Sequence, residues 1–173
     1  MTKRELETLL LTLESTPALL ARAASELAED TVRQRGTAGG FSFVEQVWHL
    51  ADLEREAYGA RIRRLLTEDE PRLSNFDGDR VARERQYQRR SLAEGLLAFT
   101  TARRRNVEAL RDVSGPDWKR RGEQEGVGAV TLADVPRMMA EHDRAHGEEI
   151  AALFLEVRDG VVPGHAPRVS AVA

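Results

Sequence analysis

The chain has 173 residues, 41% of them hydrophobic and 32% charged, with a formal net charge of -3 at pH 7. One domain with a single core fits this length, and the slight acidity excludes the basic excess typical of non-specific nucleic-acid binding. Cysteine is absent, which excludes disulfides, iron–sulfur clusters, thiolate zinc sites and a cysteine nucleophile.

The first two predicted helices occupy the N-terminal part of the chain. Apolar residues recur at helical spacing from about Thr2 to Asp30, with Pro17 as the one expected kink. A glycine-rich stretch then interrupts the pattern. The second helix is expected to begin after Ser42, which forms a capping-box pattern with Glu45, and to end before Pro71.

Two more helices are predicted in the second half. The third is expected from about Asp79 to Val113, followed by a loop over 117–128 that contains three glycines. Thr131, with Asp134 three residues later, is the expected cap of the fourth. No window longer than four residues alternates as a strand does. The sequence therefore predicts an all-α four-helix bundle over residues 1–157 and a flexible tail over 158–173.

Three of the four histidines lie in apolar helical surroundings. His142 and His146 are four residues apart, which places both imidazoles on one helical face. They continue the apolar stripe of the fourth helix, so both should face the bundle interior. His49 lies in the most apolar part of the second helix, and His165 lies in the tail.

A shared metal ion is the hypothesis that these positions favour. Three buried neutral imidazoles without partners are costly, whereas one ion accepts a nitrogen from each. Three histidine ligands leave a coordination position open, as in catalytic sites. Without thiolate ligands the ion is expected to be zinc, nickel, iron or manganese, and the residues do not choose among them.

Two acidic residues on the fourth helix are candidates for roles beside the ion. Asp143 and Glu149 could support the ligands or act as acid and base. An alternative for Asp143 is a surface ion pair with Arg144 or Arg103. Both interpretations stay open on the sequence.

The residues around these histidines resemble a known family. The segment 41–54, in which a serine cap precedes His49-Leu50-Ala51-Asp52 and Glu54, resembles the second helix of the DinB-like (YfiT-like) superfamily. A later stretch is similar to the other hallmark of that family. It comprises Trp118, the segment 131–134, the segment 142–146 and Ile150.

The resemblance covers about residues 1–157 and carries several expectations. It implies a four-helix bundle, often a homodimer, with a metal site on His49, His142 and His146. Characterised relatives include transferases that use low-molecular-weight thiols such as bacillithiol or mycothiol, and a thiol-dependent maleylpyruvate isomerase. Membership does not carry an activity with it.

The leading functional hypothesis is a metal-dependent thiol S-transferase in stress or detoxification metabolism. Because the chain lacks cysteine, it would take both a thiol cosubstrate and an electrophile from solution. The second hypothesis is a metal-dependent hydrolase. In that case Asp143 is one methylene shorter than the glutamate of H-E-x-x-H sites, and a phosphohydrolase of the H-D type would need a further aspartate, for which only Asp159 is available. The third is a metal-binding stress protein without turnover.

Partners and location follow from composition. No apolar run reaches the roughly 18 residues of a membrane span, and no signal peptide is visible. We expect a cytoplasmic protein without a membrane partner. The arginine clusters at 103–105 and 120–121 are typical of solvated helices, so no nucleic-acid partner is expected.

Overall fold

The structure, a computed structural model, describes residues 2–37, 39–158 and 160. Its helices are α1 (Lys3–Glu26), α2 (Phe43–Asp52), α3 (Gly59–Thr67), α4 (Gly78–Glu84), α5 (Leu92–Arg111) and α6 (Val135–Arg158). A π-helical segment, Leu53–Tyr58, joins α2 to α3 without a break. Four long segments, namely α1, α2 with α3, α5 and α6, thus form the bundle, and the predicted helical architecture is confirmed.

The predicted loop over 117–128 is partly wrong. It contains a 3-10 turn, Asp117–Lys119, and the strand β2 (Arg121–Gln124), which pairs antiparallel with β3 (Gly128–Thr131) and parallel with β1 (Arg72–Leu73). These strands have two to four residues. Alternation over so few positions gives no sequence signal, which is why the sheet was not predicted.

Two predicted helix starts have different outcomes. The second helix begins at Phe43 as expected, and the Glu45 carboxylate accepts the backbone N–H of Ser42 at 2.9 Å. The fourth begins at Val135, three residues later than predicted, because Thr131 belongs to β3. The Asp134 carboxylate still accepts the Thr131 hydroxyl at 2.6 Å, but in the turn between strand and helix.

The predicted third helix is interrupted. α4 ends at Glu84, and a 3-10 turn, Tyr87–Arg89, precedes α5. Gln86 adopts a left-handed backbone conformation with φ of 51°, which no continuous helix contains. The break allows the fully buried Tyr87 to donate its hydroxyl to Asp52 at 2.6 Å.

The core has two apolar clusters that meet near the middle of α6. Met139 belongs to one cluster and Ile150 to the other. His142 and His146 lie between these two residues in the sequence, so the histidines of α6 sit where the clusters adjoin. Val135, Met139 and Leu153 of α6 are buried, and so is Leu132 just before it, which confirms these positions of the predicted core stripe.

Two expectations from the sequence concern the C-terminal tail and membrane-spanning helices. Nearly all of the predicted flexible tail, together with Asp159 and His165, lies outside the described residues. Within residues 2–37, 39–158 and 160, no helix combines the length and apolarity that a bilayer crossing requires.

Candidate metal centre

His49 lies near the C-terminal end of α2 and is 8% exposed. Its ring packs between Phe41 and Phe76, with centroid distances of 5.5 and 5.9 Å. Gly78, the first residue of α4, lies directly against the imidazole, since a Cβ there would be 2.7 Å from His49 Nδ1. The ring is therefore held by α2, two aromatic side chains and the backbone of α4.

The imidazoles of the two α6 histidines lie close to that of His49. The imidazoles of His142 and His146 have centroids 4.3 Å apart, and those of His49 and His146 are 4.8 Å apart. One nitrogen from each of the three residues lies within 4.8 Å of the others. The structure thus brings together the histidines that the sequence singled out, hereafter the histidine cluster.

The Nε2 atoms face one another. His142 Nε2 lies 3.2 Å from His146 Nε2 and 3.5 Å from His49 Nε2. Nitrogens that bind one ion tetrahedrally at zinc–nitrogen bond lengths are about 3.4 Å apart. The observed separations therefore match those of ligands that share an ion.

Hydrogen bonds alone do not satisfy all the ring nitrogens of the histidine cluster. His146 Nδ1 contacts Gln46 Oε1 and lies 3.0 Å from Glu149 Oε2. Because both neighbours are acceptors, the proton of the neutral ring belongs on Nδ1, and Nε2 carries a free lone pair. A proton on His142 Nε2 can be donated to only one of the two neighbouring atoms, His49 Nε2 or His146 Nε2. Among the described residues, His49 Nδ1 and His142 Nδ1 are buried without a partner. A cation that accepts all three lone pairs fits the chemistry of these donors.

Burial keeps the imidazoles uncharged. Burial first, and the positive charge of a protonated His146 second, lower the pKa of His49 to about 4 and that of His142 to about 3. Burial also lowers the pKa of His146. All three rings are therefore neutral at pH 7, the state in which histidine binds a metal ion.

Gln46 is a site residue that the sequence analysis missed. It is 2% exposed, and its Nε2 donates to Glu149 Oε2 at 2.7 Å while its Oε1 accepts from His146 Nδ1. These bonds fix the tautomer of His146. Gln46 lies one helical turn before His49 on α2, and that spacing was the available signal.

The two acidic candidates have separate environments. Glu149 lies beside His146 and lines a cavity of about 740 Å³, which His49, His146 and Phe41 also line. Asp143 does not line this cavity, and its carboxylate accepts two bonds from Arg103, at 2.6 and 2.7 Å, and one from Thr16. The expected pair with Arg103 exists, but it is buried rather than on the surface. A catalytic role for either acid stays a prediction.

Comparisons with known proteins were made for sequence and fold. A search of curated proteins finds none that matches this chain. Among solved structures, the fold is similar to that of YfiT from Bacillus subtilis, described as a probable metal-dependent hydrolase with an unusual four-helix bundle topology. The TM-score is 0.83 at 22% sequence identity, and the match covers 92% of this chain and 90% of that chain.

The family profile gives the decisive assignment. The DinB superfamily profile matches residues 12–150, which are most of the chain and include the whole histidine cluster. The resemblance indicated by the motifs around His49 and His142 is thereby confirmed. This chain belongs to the DinB superfamily.

Proposed function

We propose that this protein is a metal-dependent enzyme that transfers a low-molecular-weight thiol to an electrophile. His49, His142 and His146 would hold one divalent ion through Nε2. The observation that carries the proposal is that His49 and His146 of the histidine cluster line the 740 Å³ cavity. A cavity of this size accommodates a small-molecule ligand.

The chemistry is divided between the ion and the residues of the cavity. A divalent ion with three histidine ligands keeps a position at which a bound thiol or water loses its proton more readily. Glu149 has a half-exposed carboxylate at the cavity, suited to accepting that proton, and Gln46 holds one of its oxygens. The thiol sulfur then donates its electron pair to the carbon of the electrophile, whose leaving group departs with the electrons of the broken bond. Phe41 contributes an apolar surface to the cavity lining.

Metal-dependent hydrolysis is the second candidate. The similarity to YfiT, described as a probable metal-dependent hydrolase, favours it. The same cavity and the same Glu149 would then serve a water molecule instead of a thiol. The Asp143 carboxylate is engaged by Arg103 and Thr16, so Glu149 is the better placed base for either reaction.

The assay that separates these functions uses the metal-loaded protein with a thiol and monochlorobimane. Bacillithiol, mycothiol and simpler thiols are each tested, with a chromogenic ester in parallel reactions without thiol. We expect thiol-dependent loss of the bimane that falls at least about a hundredfold in His142→Ala, because a lost ligand removes the ion. Arg63→Gln, an exposed change away from the cavity, is the matched control.

Each outcome points to one function. Thiol transfer that persists after all three histidines have been replaced contradicts the proposal. Ester hydrolysis without thiol, lost in His142→Ala, supports the second candidate instead. Binding of one ion without turnover of either substrate supports the third hypothesis, a non-catalytic metal-binding stress protein. The homodimer stays a prediction, which light scattering tests.

A further inference from the structure

Two exposed arginines line the same cavity as the histidine cluster. Arg83 lies near the end of α4 and Arg89 lies in the following 3-10 turn, and both side chains line the cavity together with His49 and His146. Among the described residues, neither arginine has an ion pair. Arg89 Nη1 has one long contact, 3.5 Å to Gln86 Oε1. Their guanidinium groups are thus available to a ligand.

The backbone between the two arginines brings them to one cavity. In a continuous helix, residues six positions apart point about 120° apart around the axis. Gln86 interrupts the helix with its left-handed conformation, and it also lines the cavity. Such a conformation is strained in a residue other than glycine, and observed cases cluster at functional sites.

The third arginine of the cavity is already neutralised. Arg35 donates to both carboxylate oxygens of Glu45, and its pKa is raised by those bonds and by the nearby Asp79 carboxylate. Glu45 is therefore engaged with Arg35, whereas Asp79 has only a longer-range electrostatic effect on that guanidinium. The Glu149 carboxylate, which lies beside His146, accepts a hydrogen bond from Gln46 Nε2. Arg83 and Arg89 keep their positive charge without a carboxylate of their own.

The charge of the loaded site favours an anion. Three arginines and three carboxylates line the cavity, so their formal charges balance. A divalent ion on three neutral histidines then makes the site net positive. Guanidinium groups match carboxylate and phosphate oxygens with paired hydrogen bonds.

We propose that Arg83 and Arg89 form an anion subsite in this cavity, so that the substrate carries a carboxylate or phosphate-like group in addition to its reacting atom. The inference rests on the proposed function, because it takes a metal ion on the histidine cluster as the place of reaction. It adds a substrate class to that function. A thiol without an anionic group would bind the metal ion but not the two arginines.

The test measures thiol binding by the cobalt-loaded full chain, through the sulfur-to-cobalt absorption band. The probes are mercaptohexanol, mercaptohexanoate and mercaptohexylphosphonate, which share one chain length and differ in the terminal group. We expect the two anionic thiols to bind at least about fivefold more tightly than the alcohol, as for charge-assisted hydrogen bonds at a partly exposed site. Which anion binds more tightly distinguishes the carboxylate source from the phosphate source.

Variants and salt identify the arginines as the cause. In Arg83→Gln/Arg89→Gln the preference should disappear while mercaptohexanol affinity stays unchanged, and Arg63→Gln should behave as wild type. The preference should also shrink as salt is raised, because exposed charges are screened. Equal binding of the three thiols by wild type, or an unchanged preference in the double variant, overturns the anion subsite alone. No absorption band with any thiol refutes the open metal position, and the proposed function fails with it.

Discussion

Replacing Arg103 by methionine should lower the free energy of unfolding by about 3–5 kcal/mol, the cost typical of removing one partner from a buried ion pair. Arg103 is 1% exposed. It donates to Asp143, to Glu54 at 2.8 Å and to the Leu13 carbonyl at 3.0 Å. Burial already raises the pKa of Glu54. Without the guanidinium, two carboxylates from different helical segments would share a buried space with no counter-charge.

The measurement is urea unfolding of the metal-free protein, so that ion binding does not enter the comparison. Arg104→Met is the matched control, because Arg104 is exposed and its closest approach to Glu108 is 3.9 Å. The control should change stability by less than about 0.5 kcal/mol. Equal losses in the two variants would show that the Arg103 contacts do not stabilise the bundle.

A second large effect is expected where α4 contacts the histidine cluster. Gly78→Ala should weaken metal binding by about 10- to 100-fold, the range seen when the support of a metal ligand is lost. The new Cβ would lie 2.5 Å from His49 Cε1 and 2.7 Å from Nδ1, so the imidazole must move. Alanine suits the first position of a helix, and the Asp77 cap is untouched. The fold should therefore survive the change.

Competition against a chelating indicator measures this affinity. The control is Gly147→Ala, next to His146 on α6, where a Cβ meets no atom within 4 Å. Gly147→Ala should keep wild-type affinity and stabilise the helix by about 0.5–1 kcal/mol. Unchanged affinity in Gly78→Ala would mean that His49 is not a ligand in the position described here.

The histidine cluster was largely predictable because its signals are local. The four-residue spacing of His142 and His146, and their phase within the apolar stripe of α6, place both rings inward without knowledge of any other helix. The apolar surroundings of His49 give the third position. Periodicity and capping likewise predicted the bundle, since these signals also act over a few residues.

The remaining features depend on contacts between distant residues. Arg103 binds Glu54 and Asp143 across 49 and 40 positions, and no local pattern distinguishes it from the exposed arginines beside it. The closeness of Gly78 to His49 appears only when α4 is packed on α2. The π-helical segment is another such feature. There the Glu54 carbonyl gains a bond from Asn106 Nδ2 at 2.9 Å, a contact made by tertiary packing.

Metal content tests the central claim most directly. Protein purified without a histidine tag should contain about one equivalent of a transition metal by mass spectrometry. The His49→Ala/His142→Ala/His146→Ala variant should contain none while keeping its helical circular dichroism. No metal in the wild type, even after reconstitution with zinc, nickel and iron, would contradict the metal centre and the functions proposed from it.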